Sequence, residues 1–318
     1  MKTIIIFTLN AAIIATLPGC NKNNNNNQQP NTPGKQRFTI ITDGITREYY
    51  VHVPAAYNPE ITIPVVFMLH GSGGNGEKFY NISGWKEVGE AETILTVFPS
   101  SLQYPCVLDD GEKKRNAEKW NSYGLELCDG SSKADDVKFL SQVIDDVQQK
   151  FSVDEKRVYM VGFSNGGEMT SKTAIELSDK LAAVVSASGA LPPDTVFTPL
   201  RKLPVLLQLG NSDEKVMTKL GATQPLPMDI GQLFSQFPLM SGIANSYVSS
   251  FELDGNFTTG GNPNQFVFAD YKALSMQHNN SFRFVLIKGL GHSYPNGKNH
   301  PLKGAEVHWA WMKDFRLP

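Results

Sequence analysis

Six short apolar runs are spread along residues 63–287, and each stops at turn chemistry. Ile63–Leu69 stops at His70-Gly71, Ile94–Phe98 at Pro99, and Arg157–Val161 at Gly162. Leu181–Ala187 stops at Ser188-Gly189, Pro204–Leu209 at Gly210, and Phe282–Ile287 near Gly289. Continuous rather than alternating hydrophobicity is what a strand needs when both sheet faces are covered. Residues 37–53 (RFTIITDGITREYYVHV) instead alternate on either side of Asp43-Gly44, which predicts a hairpin. Helical spacing fills the gaps. Over Asp135–Phe151 it puts Val137, Leu140, Val143, Ile144 and Val147 on one stripe, with Asp135 placed to cap it. Further helices are predicted from Ser164 to about Ser178 and over Leu302–Phe315. Residues 217–262 are punctuated by Pro and Gly, with one helical stretch near 231–252. That length fits an insertion bordering a substrate cleft. There is no internal repeat. A hairpin followed by βαβ units predicts an α/β fold, a mostly parallel central sheet with helices on both faces.

Composition narrows the class. The chain has 318 residues, 41% of them hydrophobic, which excludes wholesale disorder. Its formal charge of −2 offers no basic excess to displace counterions from a phosphate backbone, so no nucleic-acid partner is expected. The first 20 residues read as an export signal. Lys2 precedes an apolar run from Ile4 to Leu17 that is too short to span a hydrocarbon core of ~30 Å. The run ends in Leu17-Pro18-Gly19-Cys20, which resembles a bacterial lipobox with Pro18 where Ala or Ser is usual. Cys20 would then carry lipid. Residues 21–36, opening NKNNNNNQQPNTPG, have almost no apolar side chain to bury and read as a flexible tether. The expectation is a domain over 37–318, exported and lipid-anchored to a bacterial membrane, at the outer membrane or cell surface. Two cysteines remain, Cys106 and Cys128. In an oxidising compartment they are expected to form a disulfide, and closing that loop would contribute about 3 kcal/mol. Soft ligands cluster nowhere, so no metal is expected.

The candidate chemistry sits where runs end. Gly162-Phe163-Ser164-Asn165-Gly166-Gly167 lies between a predicted strand and a predicted helix, the setting of a G-x-S-x-G nucleophile elbow. Ser164 is the candidate nucleophile. His70-Gly71-Ser72-Gly73-Gly74 follows an earlier strand and could aim backbone N–H groups at a developing oxyanion, the donors being those of Ser72 and Asn165. In this fold order the acid and then the histidine follow the serine. Asp213 in LGNSDEKV is the candidate acid, with Glu214 and Asp194 as alternatives. His292, just past the last strand in GLGHSYP, is the candidate base, with His300 as its alternative.

These segments together resemble the polyhydroxybutyrate-depolymerase/feruloyl-esterase group of α/β hydrolases, which is carbohydrate esterase family 1-like. The resemblance runs from Asp135-Asp136-Val137 through GFSNGG, with HGSGG, the Asp213 loop and GHSYP, and covers about residues 37–318. Two motifs depart from it. The group's GHxWP has Tyr294 in place of Trp, and its HGxxDxxVP is LGNSDEKVM here. The resemblance implies an α/β-hydrolase fold and hydrolysis of carboxylic esters through an acyl-enzyme, with no cofactor. Feruloyl or acetyl esters of plant-polysaccharide fragments are the expected substrates, as small molecules or oligosaccharides. Trp120 and Tyr294 are the candidate contacts to them, and Phe234, Phe237 and Tyr247 are available to a cleft. Polyhydroxybutyrate is the alternative substrate, although no adsorption module follows the last predicted helix. Two readings compete. A prolyl-oligopeptidase-like peptidase would need an accessory domain that 37–63 cannot hold, and a non-catalytic glycan-binding lipoprotein would not need an intact triad.

Overall fold

The computed structural model describes residues 32–107, 114–123, 128, 133–275 and 279–318. Cys20 and most of the tether lie outside them. The hairpin forms where it is predicted. Strand β1 (Gly34–Thr42) pairs antiparallel with β2 (Ile45–Val53), and Asp43 and Gly44 turn the chain at φ of 49° and 78°. Such paired positive φ values match the twist of the flanking strands. Because Gly34–Gln36 pair with Val51–Val53, the last residues read as tether belong to the sheet.

The chain continues through β3 (Ile63–Leu69), α1 (Gly76–Ile82), α2 (Trp85–Glu92) and β4 (Leu95–Pro99). A separate two-stranded arm follows, β5 (Leu102–Val107) and β6 (Lys114–Lys119), joined to Cys128 by a Cys106–Cys128 disulfide. Next come α3 (Asp136–Lys150), β7 (Val153–Phe163), α4 (Asn165–Glu176), β8 (Ala183–Ala187) and β9 (Val205–Gly210). The segment read as an insertion holds α5 (Glu214–Leu220), α6 (Ile230–Gln236), α7 (Pro238–Ser250) and β10 (Leu253–Asn262). The chain closes with β11 (Phe266–Ala273), β12 (Ser281–Ile287) and α8 (Gly304–Met312).

Ten strands make one sheet in the order β1-β2-β4-β3-β7-β8-β9-β12-β11-β10. The six central strands, β4 to β12, are parallel, and an antiparallel pair flanks them at each edge. Every residue of β3, β4, β8 and β9 is buried, as their unbroken apolar runs require. One face is covered by Phe139, Val143 and Val147 of α3, Met169 and Ala174 of α4, and Met240 and Tyr247 of α7. The other is covered by Phe79 of α1, Trp85 of α2, and Trp309 and Met312 of α8.

One sequence reading is corrected here. The single helix near 231–252 is two, because Pro238 lacks an N–H to continue α6 and instead occupies the first turn of α7. The stretch after it forms a β10–β11 hairpin, for which no strand was predicted.

Candidate active site

Ser164 occupies the turn between β7 and α4. Its φ and ψ are 54° and −124°, a region a non-glycine residue enters at a cost on the order of 1–3 kcal/mol. The turn is fixed from both sides, with Ser164 N–H donating to Ala187 O at 2.7 Å and Glu168 N–H donating to Ser164 O at 2.9 Å. Gly162 allows the close approach, since a Cβ there would lie 2.1 Å from Gly166 O.

His292, on the loop after β12, reaches the serine. Its Nε2 is 2.8 Å from Ser164 Oγ, and its Nδ1 is 3.0 and 2.9 Å from the two carboxylate oxygens of Asp213. A carboxylate accepts, so the Nδ1 proton faces Asp213 and Nε2 is left to take the Ser164 proton. Asp213 is fully buried at the start of α5, and its Oδ1 also accepts from Lys215 N–H and Val216 N–H. Burial opposes ionisation of this carboxyl. The His292 hydrogen bond and charge, with the Val216 N–H, outweigh it and hold the carboxyl below the usual range. The ring of Phe163 packs against the imidazole at 5.1 Å.

The Gly-rich loop after β3 lies against the elbow. A Cβ on Gly71 would come within 3.2 Å of the Ser164 Cβ, so a side chain there would have to push the loop and the elbow apart by a few tenths of an ångström. His70 anchors it from below. The ring is fully buried, donating from Nδ1 to Gly71 O at 2.8 Å and accepting Ser101 N–H at Nε2 at 3.0 Å. Burial pushes its pKa down to about 4, which keeps it neutral. Gly73 N–H donates to Glu118 O of β6 at 2.9 Å, tying the loop to the disulfide arm. Ser72 is exposed. Asn165 is the first residue of α4, where a backbone N–H has no carbonyl one turn back to bond. Its side chain is occupied elsewhere, Oδ1 accepting Trp120 N–H at 2.7 Å and Nδ2 donating to Ser122 Oγ at 2.7 Å.

The two residues expected to touch substrate are inside the protein. Trp120 is fully buried and its indole N–H donates to His70 O at 2.9 Å. Tyr294 is buried in a chain of polar contacts, with Trp85 Nε1 and His308 Nδ1 each 2.9 Å from its hydroxyl and His308 Nε2 2.8 Å from Gln208 Oε1. Both support the site from beneath. Tyr247 is likewise core, stacked on Phe282 at 4.5 Å, and Phe234 packs edge-on to Phe257 and Phe284. A cleft adjoining the Ser164 turn through Gly189 is instead mostly aliphatic. Its ≈ 360 Å³ begins at Ser188 and Gly189 and is walled by Leu191 and Pro192 with Leu239, Met240 and Ile243 of α7. Of the alternatives, His300 bonds Lys288 O and Asp194 bonds Asn245, and neither reaches the serine–histidine pair. Sequence reasoning missed Glu168, which accepts from Ser122 Oγ at 2.8 Å. Only its position three residues after Asn165 hinted at a shared role.

A central parallel sheet, a serine on a strained strand-to-helix turn, and a histidine and buried acid from later strand ends define an α/β hydrolase. A family model described as phospholipase/carboxylesterase matches residues 57–226, and the chain belongs to that family. Feruloyl esterase B of Piromyces equi is 24% identical over 280 residues, covering 86% of this chain and 46% of that one. The bifunctional acetylxylan esterase/xylanase XynS20E of Neocallimastix patriciarum is 25% identical over 146 residues, covering 46% of this chain and 18% of that one. The chain thus spans less than half the length of either relative. Among solved structures, an acetyl xylan esterase from Aspergillus awamori superposes with a TM-score of 0.60 at 16% identity, covering 88% of this chain and 99% of that one, a likeness of fold.

Proposed function

We propose that the chain is a serine carboxylesterase acting through Ser164, His292 and Asp213, with the backbone N–H groups of Ser72 and Asn165 receiving the oxyanion. The observation that carries this reading is the unbroken line of contacts from Ser164 Oγ through the imidazole to a buried carboxylate. Ser164 Oγ attacks the ester carbonyl as its proton passes to His292 Nε2. The tetrahedral oxyanion collapses, and the alcohol leaves with that proton. Water, deprotonated by the same imidazole, then hydrolyses the acyl-enzyme and releases the acid. Asp213 keeps the ring in the productive tautomer and stabilises the imidazolium.

The substrates proposed are feruloyl or acetyl esters of plant-polysaccharide fragments, in keeping with the names of the two relatives. The aliphatic cleft favours the larger acyl group, because an acetyl group would leave most of those walls uncovered. We also propose that Cys20 is lipidated and holds the enzyme, on its Asn-rich tether, at a bacterial membrane. The experiment compares methyl ferulate, acetylated xylo-oligosaccharide and a polyhydroxybutyrate suspension, with Ser164→Ala as control and a fluorophosphonate probe for the nucleophile. Ser164→Ala is expected to keep its fold, lose probe labelling and lose at least about a thousandfold in kcat. Activity retained in that variant would remove Ser164 from the mechanism. Clearing of the polymer with neither soluble ester hydrolysed would reassign the substrate.

A further inference from the structure

Strands β9 and β12 are parallel neighbours whose last registered pair is Gly210 with Ile287. Beyond that pair the two chains carry the acid and the histidine, and they remain fastened to each other. Asn211 N–H donates to Ile287 O at 2.9 Å, and Ser212 N–H donates to Leu290 O at 3.1 Å. Between and beyond these backbone bonds, side chains take over. Gly289 N–H donates to Asn211 Oδ1 at 2.7 Å, and His292 N–H donates to Glu214 Oε2 at 3.0 Å. Asn211 is buried and also fastens the start of the cleft segment, since it exchanges bonds with Leu226 through Nδ2 and its own carbonyl.

Resting on the esterase reading above, we propose that Glu214 is a positioning residue that registers the His292 loop on the acid loop. Asp213 and Glu214 are consecutive, yet they hold the same histidine at opposite ends. Asp213 orients the ring through Nδ1, and Glu214 fixes the backbone from which the ring projects. With the peptide between Gly291 and His292 released, rotation of that backbone carries Nε2 away from Ser164 Oγ while Asp213 still holds Nδ1. Glu214 therefore acts on the proton transfer and not on substrate binding. Its carboxylate is exposed and no part of the core, so its removal leaves the fold standing.

The test uses the full chain with 4-nitrophenyl acetate as substrate. Glu214→Ala is expected to lower kcat about tenfold through misplacement of the base, with KM within about twofold and Tm unchanged. Glu214→Gln keeps an acceptor oxygen and is expected to restore kcat to within about twofold of wild type. In a His292→Ala background, Glu214→Ala is expected to change the residual rate no further, because the residue acts only through that histidine. Unchanged kcat in Glu214→Ala, a rise in KM in place of a fall in kcat, or an equal further loss in the His292→Ala background would overturn the proposal. Failure of Glu214→Gln to rescue would also overturn it, by assigning the effect to charge. If Ser164→Ala and His292→Ala both retain activity, the esterase site itself fails and this role falls with it. If both are inactive and Glu214→Ala is normal, this role alone fails.

Discussion

Asp213 uses one carboxylate for two purposes, capping α5 and facing His292, and substitution can separate them. Asparagine keeps an oxygen for the Lys215 and Val216 N–H groups but loses the charge that orders the imidazole. Asp213→Asn is therefore expected to lower kcat by about 10⁴ with little change in Tm, whereas Asp213→Ala should also forfeit about 1 kcal/mol of capping. Urea unfolding beside steady-state rates would separate the two. A loss below tenfold in Asp213→Asn would move the acid role elsewhere. Two other buried groups set the response to acid. Burial holds His70 down to about 4 and His308 down to about 3, against about 6.5 for a histidine in an unfolded chain. Between about 6.5 and those values the unfolded state binds protons that the folded state excludes, so stability falls as pH falls. Tm is expected to be level above pH 7 and to drop steadily from about pH 6.5 to 4. A level Tm down to pH 5 would contradict the neutral, buried state of both rings.

At the scale of elements, the disulfide arm joins parts of the site that are far apart in sequence. Its β6 strand holds Gly73 of the Gly-rich loop after β3, Trp120 just after it binds the Asn165 side chain, and Asn121 N–H donates to the buried Asp136 carboxylate at 2.6 Å. Replacing Cys106 and Cys128 together by serine is expected to lower unfolding stability by about 3 kcal/mol, read from the urea midpoint. An unchanged midpoint would mean that these bonds alone secure the arm. None of them could be read from the sequence, because each joins groups at least 15 residues apart and leaves no periodic trace in the chain. What could be read follows the same logic. Strands buried on both faces must be apolar throughout, so β3, β4, β8 and β9 stood out. The positions of Ser164, Asp213 and His292 followed from strand ends and chain order. Edge strand β10 needs neither property. With one polar side and glycines at 260 and 261, LDGNFTTGGN carries almost no apolar signal. Helices α1 and α2 span only two turns each, too short for periodicity to emerge. Trp120 and Tyr294 looked like contact residues because hydrophobic residues with one polar atom suit a binding surface and a buried hydrogen bond equally well.

At the scale of the whole molecule, the sheet carries the Ser164 turn between two apolar layers, and the layer containing α1, α2 and α8 has a polar thread through it. The thread runs from Trp85 through Tyr294 and His308 to Gln208. An indole N–H can only donate, a carbonyl oxygen can only accept, and a histidine kept neutral by burial carries one N–H, so the two ends together set its direction. Trp85 gives to the Tyr294 oxygen, the tyrosine gives its own proton to His308 Nδ1, and His308 gives from Nε2 to the Gln208 carbonyl oxygen. A hydroxyl rotor, a tautomer and an amide orientation are thereby matched to one another along the thread. The group resembled by the sequence has Trp where this chain has Tyr294, so a consensus swap looks harmless. Here it would set two obligate donors nose to nose. Tyr294→Trp is expected to lower Tm by several degrees, with Tyr294→Phe as the comparison that removes the hydroxyl without adding a second donor. An unchanged Tm in Tyr294→Trp would show that the buried thread accommodates a second indole donor beside Trp85, against this expectation.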